Sequence, residues 1–265
     1  MTSPAPSNQT SSKSALRPRD AASLLLVDRT GRTPRILMGK RHPSLAFMPG
    51  KFVFPGGRAD AVDGAIAAAT ELSQNDTQKL MTGMGTRASQ RRARALGLCA
   101  IRETFEETGL RIARASSDKH SSGKRSSEQP HSAKALSSAD IIMPDNKDWC
   151  AFLERGALPA LGDLRYFARA VTPPGNVRRF DARFFIAFRD SLPELESATL
   201  VPSGELEDLD WVAIDEVDKL DVARITQAIL KEARMLLTET RLDLPATLPV
   251  AQYSKRHGRF VREVI

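Results

Sequence analysis

Three glutamates, Glu103, Glu106 and Glu107, fall within the segment AIRETFEETGLRI, residues 100–112. The segment consists largely of helix formers and reaches Gly109, a residue type that caps helices in the left-handed conformation, so a helix is expected here. At about 3.6 residues per turn, positions three and four apart lie on one side, and the three carboxylates share a stripe. Leu98, Ile101 and Phe105 fall on the opposite side, the expected core face. Like charges at this spacing cost about 0.2–0.5 kcal/mol per pair on an isolated helix. A cation held between the carboxylates removes that cost, and hard oxygen ligands of this kind suit Mg²⁺ or Mn²⁺. The plain alternative is a solvated acidic face.

The elements that must position these glutamates follow from the hydrophobic pattern. Residues 1–17 are Ser/Pro-rich and are expected to form a disordered arm, with an organelle transit peptide as the lesser alternative. AASLLLVD (21–28) and RILMGKR (35–41) are expected strands, joined by a turn into a hairpin. A loop with two prolines leads to a short strand, 51–54, that runs into Pro55-Gly56-Gly57. A helix is expected from about residue 86, through the basic RASQRRAR, to Thr108. The Ser-rich stretch that follows residue 112 is of low complexity and expected to be disordered. Beyond it come an expected helix at 145–155, strands at 164–172 and 178–189, a short strand near 209–213, and a broken helix over 215–240.

Composition narrows the classes. The 265 residues are enough for one large domain, and 41% hydrophobic content is ordinary for a globular chain. No apolar run approaches the roughly 20 residues that span a bilayer, so no membrane partner is expected. Two cysteines, Cys99 and Cys150, form no metal-type pair, which points to a reducing setting. The net charge of +7 invites a nucleic-acid partner. However, the positive charge concentrates in residues 1–19, 87–94, 111–138 and 241–265, and the remainder is acidic. RASQRRAR and the Ser/Lys stretch also lack the aromatic residues that stack on bases, so no nucleic acid is expected.

Gly57, followed much later by Arg102-Glu103-Thr104-Phe105-Glu106-Glu107-Thr108-Gly109-Leu110, resembles the Nudix box: a glycine, a spacer, then R-E-aliphatic-x-E-E-x-G-aliphatic. The resemblance implies an α/β Nudix fold, a mixed β-sheet sandwiched between helices, over residues 18–240. Insertions are expected at about 59–94 and 113–140, with a C-terminal tail at 241–265. It also implies hydrolysis of a nucleoside diphosphate linked to another group. Three features depart from the pattern. The spacer from Arg58 to Ile101 is far longer than usual, Asp63 stands where the family places a glutamate, with Asp60 nearby, and Thr104 replaces an aliphatic residue. The interrupted box, with GGRxDxxD at 56–63 and RRFDxRFF at 178–185, looks like the subgroup that includes peroxisomal acyl-CoA diphosphatases. The chain's final REVI is unlike an SKL-type peroxisomal address, so a cytoplasmic setting is expected.

Two anionic phosphates repel an attacking water, so divalent cations are needed to neutralise them and to acidify that water. Glu103 and Glu107 are the expected chelators of one ion, and Glu106 shares a second ion or holds its water. By resemblance the Gly56 carbonyl is a further ligand, and Arg102 orients the glutamates. Glu205 is the expected general base, with Glu207 and a plain acidic loop as alternatives. Arg41, Arg179 and Arg183 are candidate phosphate contacts, although Arg179 and Arg183 would share a strand face with Asp181 and could simply pair with it. The expected partner is a small nucleotide-type substrate, CoA or acyl-CoA in first place and ADP-ribose, NADH or capped RNA behind it. A non-catalytic Nudix binding module is the alternative class, and a homodimer is left open.

Overall fold

Leu24, Leu25, Leu26 and Val27 are all fully buried, and a strand with successive residues buried must be covered on both faces. They belong to β1 (Arg19–Asp28), at the centre of a mixed sheet. The computed structural model describes residues 16–115, 144–239, 244–256 and 258–265. β1 pairs antiparallel with β2 (Arg35–Arg41) and β4 (Gly56–Arg58), and β2 pairs in turn with the short β3 (Phe52–Val53). A separate two-stranded sheet joins β5 (Ala113–Ala115) to β6 (Ala157–Pro159). On the other side of the main sheet, β7 (Arg165–Val171) pairs antiparallel with β8 (Phe180–Phe188), and β8 runs parallel to β1 over nine residue pairs. β9 (Leu206–Ala213) closes onto β2.

Helices cover both faces. α1 (Gln74–Thr82), α2 (Gln90–Thr108) and α3 (Lys147–Leu153) lie on one, where Leu24, Leu26 and Phe185 pack with Leu98, Ile101 and Phe152. α4 (Arg224–Glu239) lies on the other, where Leu25, Val27 and Ile186 pack with Ile229 and Leu236. The fold is the expected α/β arrangement of a mixed sheet between helices.

Local signals account for the limits of α2. The Ser89 hydroxyl accepts from the Arg92 N–H at 3.2 Å and caps the start. Gly109 ends the helix at φ 75°, its N–H donating to the Phe105 carbonyl at 2.8 Å. The helix therefore begins at Gln90, not near 86, because Gly85–Arg87 form a separate 3-10 turn. Thr104, on the buried side, satisfies its hydroxyl on the Ala100 carbonyl at 2.7 Å, so the hydroxyl costs little in the apolar layer.

The largest difference from expectation concerns residues 241–265, read from sequence as a tail. Within them β10 (Ala251–Arg256) and β11 (Arg259–Val264) pair antiparallel and extend the main sheet beyond β7. Val250 and Ala251 are buried, and Arg262 clamps Glu232 of α4 at 2.7 and 2.8 Å. Within the expected first insertion, α1 docks its Leu80 into the core. Most of the expected N-terminal arm, and residues 116–143 with nearly all of the second insertion, lie outside the described residues.

Candidate functional site

Two glutamates of the α2 stripe, Glu103 and Glu107, face β4. The Gly56 N–H donates to Glu107 Oε2 at 2.9 Å, and Glu107 is only 3% exposed. At Gly57 a Cβ would stand 2.5 Å from Glu103 Oε2, closer than real Cβ contacts allow. Glycine is therefore what lets this strand lie against the Glu103 carboxylate. Cys99 donates its thiol toward the Gly57 carbonyl at 3.5 Å, so α2 and β4 are joined at consecutive turns of the helix.

Arg102 is the hub beneath the stripe. Its Nε and Nη2 donate to the two Asp63 oxygens at 2.9 and 3.2 Å, a bidentate pair that is nearly fully buried. Nη1 lies 2.9 Å from Glu103 Oε1 and donates to Glu106 Oε2 at 3.3 Å. Nη2 also donates to the Arg58 carbonyl at 3.0 Å, which ties β4 to the same group. Asp63 in turn accepts from the Trp149 indole N–H at 2.8 Å and from the Asp60 N–H at 2.7 Å. The aspartate that departs from the box pattern is thus the counter-ion that fixes Arg102. Sequence reading noted Asp63 without giving it this role, and it missed Trp149 altogether. An indole 86 positions away, beyond a low-complexity stretch, offers no local signal.

Burial sets the electrostatics. It pushes the Glu107 carboxyl up to about 8, with repulsion from Glu103 adding and the Gly56 N–H opposing. Burial likewise raises Glu103 to about 7 despite the adjacent Arg102 guanidinium. Glu106, half-buried, is raised first by burial and then by Asp148. Among the described residues no three His, Cys, Asp or Glu side chains stand in ready-made ligating geometry. The donor set nevertheless fits a hard divalent cation. Three carboxylates share one stripe, two of them are disfavoured as bare anions by burial and mutual repulsion, and all are oxygen ligands.

Arg41 and Glu205 reach the rim of this cluster. Arg41 donates its Nε to the Phe47 carbonyl at 2.9 Å, its Nη2 lies 3.9 Å from Glu205 Oε2, and its charge favours ionised Glu107. Glu205 is exposed and close enough to raise both Glu106 and Glu107. Glu207 instead faces His42 at 3.5 Å. Two candidates are not brought to the cluster. Arg183 is fully buried and pairs with Asp20 at 2.9 Å and Asp181 at 3.1 Å, so as a phosphate contact it is corrected to an internal ion pair. Arg179 donates to the carbonyls of Thr172 and Leu16 at the start of β8. Strand alternation did place Arg183 beside Asp181, but it could not show that Asp20 of the parallel neighbour completes the pairing.

No family model matches the chain. A Caenorhabditis elegans protein described as "Putative nudix hydrolase 7" is 25% identical over 194 residues, 73% of this chain and 51% of that protein. The chain thus spans about half the length of this curated relative. The crystal structure of a NUDIX hydrolase from Alicyclobacillus acidocaldarius superposes with a TM-score of 0.53 at 26% identity, covering 81% of this chain and 90% of that one. Both likenesses are to Nudix hydrolases, and the fold is the Nudix fold.

Proposed function

We propose that this chain is a metal-dependent Nudix pyrophosphohydrolase that cleaves a diphosphate linkage in a nucleotide-type substrate. The observation that carries this reading is the stripe of Glu103, Glu106 and Glu107 held against Gly56 and Gly57 by a buried Arg102–Asp63 pair. Such a cluster is costly as bare protein, and its chemistry is explained by a ligand cation. Glu103, Glu107 and Glu106, with the Gly56 carbonyl, would hold Mg²⁺ or Mn²⁺. When bound, the ion neutralises the diphosphate and acidifies an attacking water.

The chain's own residues supply the rest. Arg102 keeps the glutamates aligned through its charge-assisted hydrogen bonds. Glu205, exposed at the rim beside Arg41, would take a proton from water entering the cluster. With Arg183 and Arg179 away from the cluster, Arg41 would be the phosphate contact. CoA or acyl-CoA is the preferred substrate, on the resemblance of the segments at 56–63 and 178–185 to that subgroup.

Product analysis tests this reading. The purified chain would be offered CoA, an acyl-CoA, ADP-ribose, NADH and diadenosine polyphosphates. Cleavage of CoA or acyl-CoA to adenosine 3′,5′-bisphosphate and a phosphopantetheine product is expected. Cleavage of ADP-ribose or NADH alone would overturn the CoA preference and keep the hydrolase. Binding without turnover of any compound would favour a non-catalytic module.

A further inference from the structure

Arg179, absent from the glutamate cluster, lines a cleft of about 260 Å³ between the β7–β8 turn and the β10–β11 hairpin. Arg169, Arg179, Lys255 and Arg256 all contribute to its wall, and no carboxylate does. Two of these cations are neutralised elsewhere. Arg169 is clamped by Asp181 at 2.7 and 2.8 Å, and Arg256 lies 2.8 Å from Glu263. The other two have no carboxylate partner among the described residues. Arg179 donates to the Thr172 and Leu16 carbonyls, and Lys255 Nζ lies 5.9 Å from the Phe260 ring. Uncompensated positive charge in a recess, a guanidinium and an ammonium lining the same wall, is chemistry that attracts phosphate oxygens.

We propose that this cleft binds a phosphate group of a small ligand. Its volume of about 260 Å³ is below the roughly 300–1,000 Å³ of drug-sized sites, which matches one phosphate or diphosphate moiety. The cleft is separate from the glutamate cluster. A chain of ion pairs, Arg169–Asp181–Arg183–Asp20–Arg92, leads from its floor to the first turn of α2. Arg92 precedes Glu103 by eleven residues, about 16 Å of helix at 1.5 Å per residue. The inference therefore goes beyond the hydrolase reading and does not need it.

Isothermal titration of the full metal-free chain with inorganic phosphate, pyrophosphate and AMP, at physiological ionic strength, tests it. One equivalent is expected to bind, and Arg179→Gln combined with Lys255→Gln is expected to weaken binding tenfold or more. Arg179 also supports local backbone, so Lys255→Gln alone, an exposed position, is the second variant and should weaken binding severalfold. Glu107→Gln should bind as the parent does, which separates this cleft from the glutamate cluster. Tighter binding of AMP than of phosphate would identify a nucleotide-borne group, and the reverse a free anion; either supports the proposal. No binding by the parent, parent-like binding by both cleft variants, or loss of binding in Glu107→Gln would overturn it.

Discussion

Glu107 concentrates the account at the scale of the single residue. Its carboxyl is pushed up to about 8 in the folded chain, whereas a glutamate in unfolded chain titrates near about 4.3. Between those values the metal-free folded protein keeps a proton that the unfolded chain has released. Stability therefore falls as pH rises through that window. At about 1.4 kcal/mol per pKa unit the loss is on the order of a few kcal/mol, and Glu103, raised to about 7, adds in the same direction. Glu107→Gln should flatten this dependence and make the metal-free chain more stable than the parent at pH 8. Thermal denaturation in chelator between pH 5 and 8 checks it, and a parent whose midpoint rises across that range would contradict the burial argument. The three glutamates were legible as one stripe from residue type and helical spacing, whereas Gly56 and the role of Arg102 were expected only from the resemblance to the Nudix box. That Glu103 and Glu107 face a strand was not legible, since the packing of β4 on α2 depends on a glycine pair separated from the helix by 32 residues, from Arg58 to Ser89.

At the scale of elements, α3 matters through one hydrogen bond. Trp149 is fully buried and donates to the same Asp63 oxygen that accepts from Arg102 Nε. Trp149→Phe keeps the aromatic contact with Phe152 and removes the donor, leaving Asp63 less satisfied. It should cost about 1–3 kcal/mol of stability. Turnover should drop by about tenfold, the low end of the range for outer-shell partners of a metal site, because Trp149 acts through Asp63 and Arg102. The check is a comparison of kcat, metal requirement and thermal midpoint between variant and parent. A fall in midpoint with metal requirement and kcat unchanged would leave Trp149 as core packing only. The helix itself was expected at 145–155 and observed as α3 (Lys147–Leu153), where the Asn146 side chain accepts from two N–H groups at its start. Its docking partner was not legible, because periodicity reports which residues turn inward and not which element they meet.

At the scale of the whole molecule, the sheet is longer than the pattern foretold. The hairpin of β10 and β11 reads as a tail in sequence because its residues are largely polar; of its described residues, Ala251 and Tyr253 pack on the core, next to the buried Val250. What fixes it is pairing with β7 and the clamp of Arg262 and Tyr253 on Glu232, contacts that have no sequence period. Deleting residues 250–265 uncovers the β7 edge and the Leu248 environment. It should lower stability by about 2–4 kcal/mol, the scale of one or two buried aliphatic side chains, as read by denaturant titration. An unchanged midpoint would show the hairpin to be an ornament. Among the described residues no helix is long and apolar enough to cross a membrane. The central claim is that the stripe on α2 holds a divalent cation for diphosphate hydrolysis, and one paired measurement tests it most directly. Mn²⁺ binding by electron paramagnetic resonance and Mn²⁺-dependent diphosphate turnover would be followed together in the parent and in Glu107→Gln. The account predicts tight binding with turnover in the parent, and loss of both in the variant by about 100-fold or more, or about 2.7 kcal/mol. Turnover that persists in Glu107→Gln, or that needs no divalent metal in the parent, would contradict it.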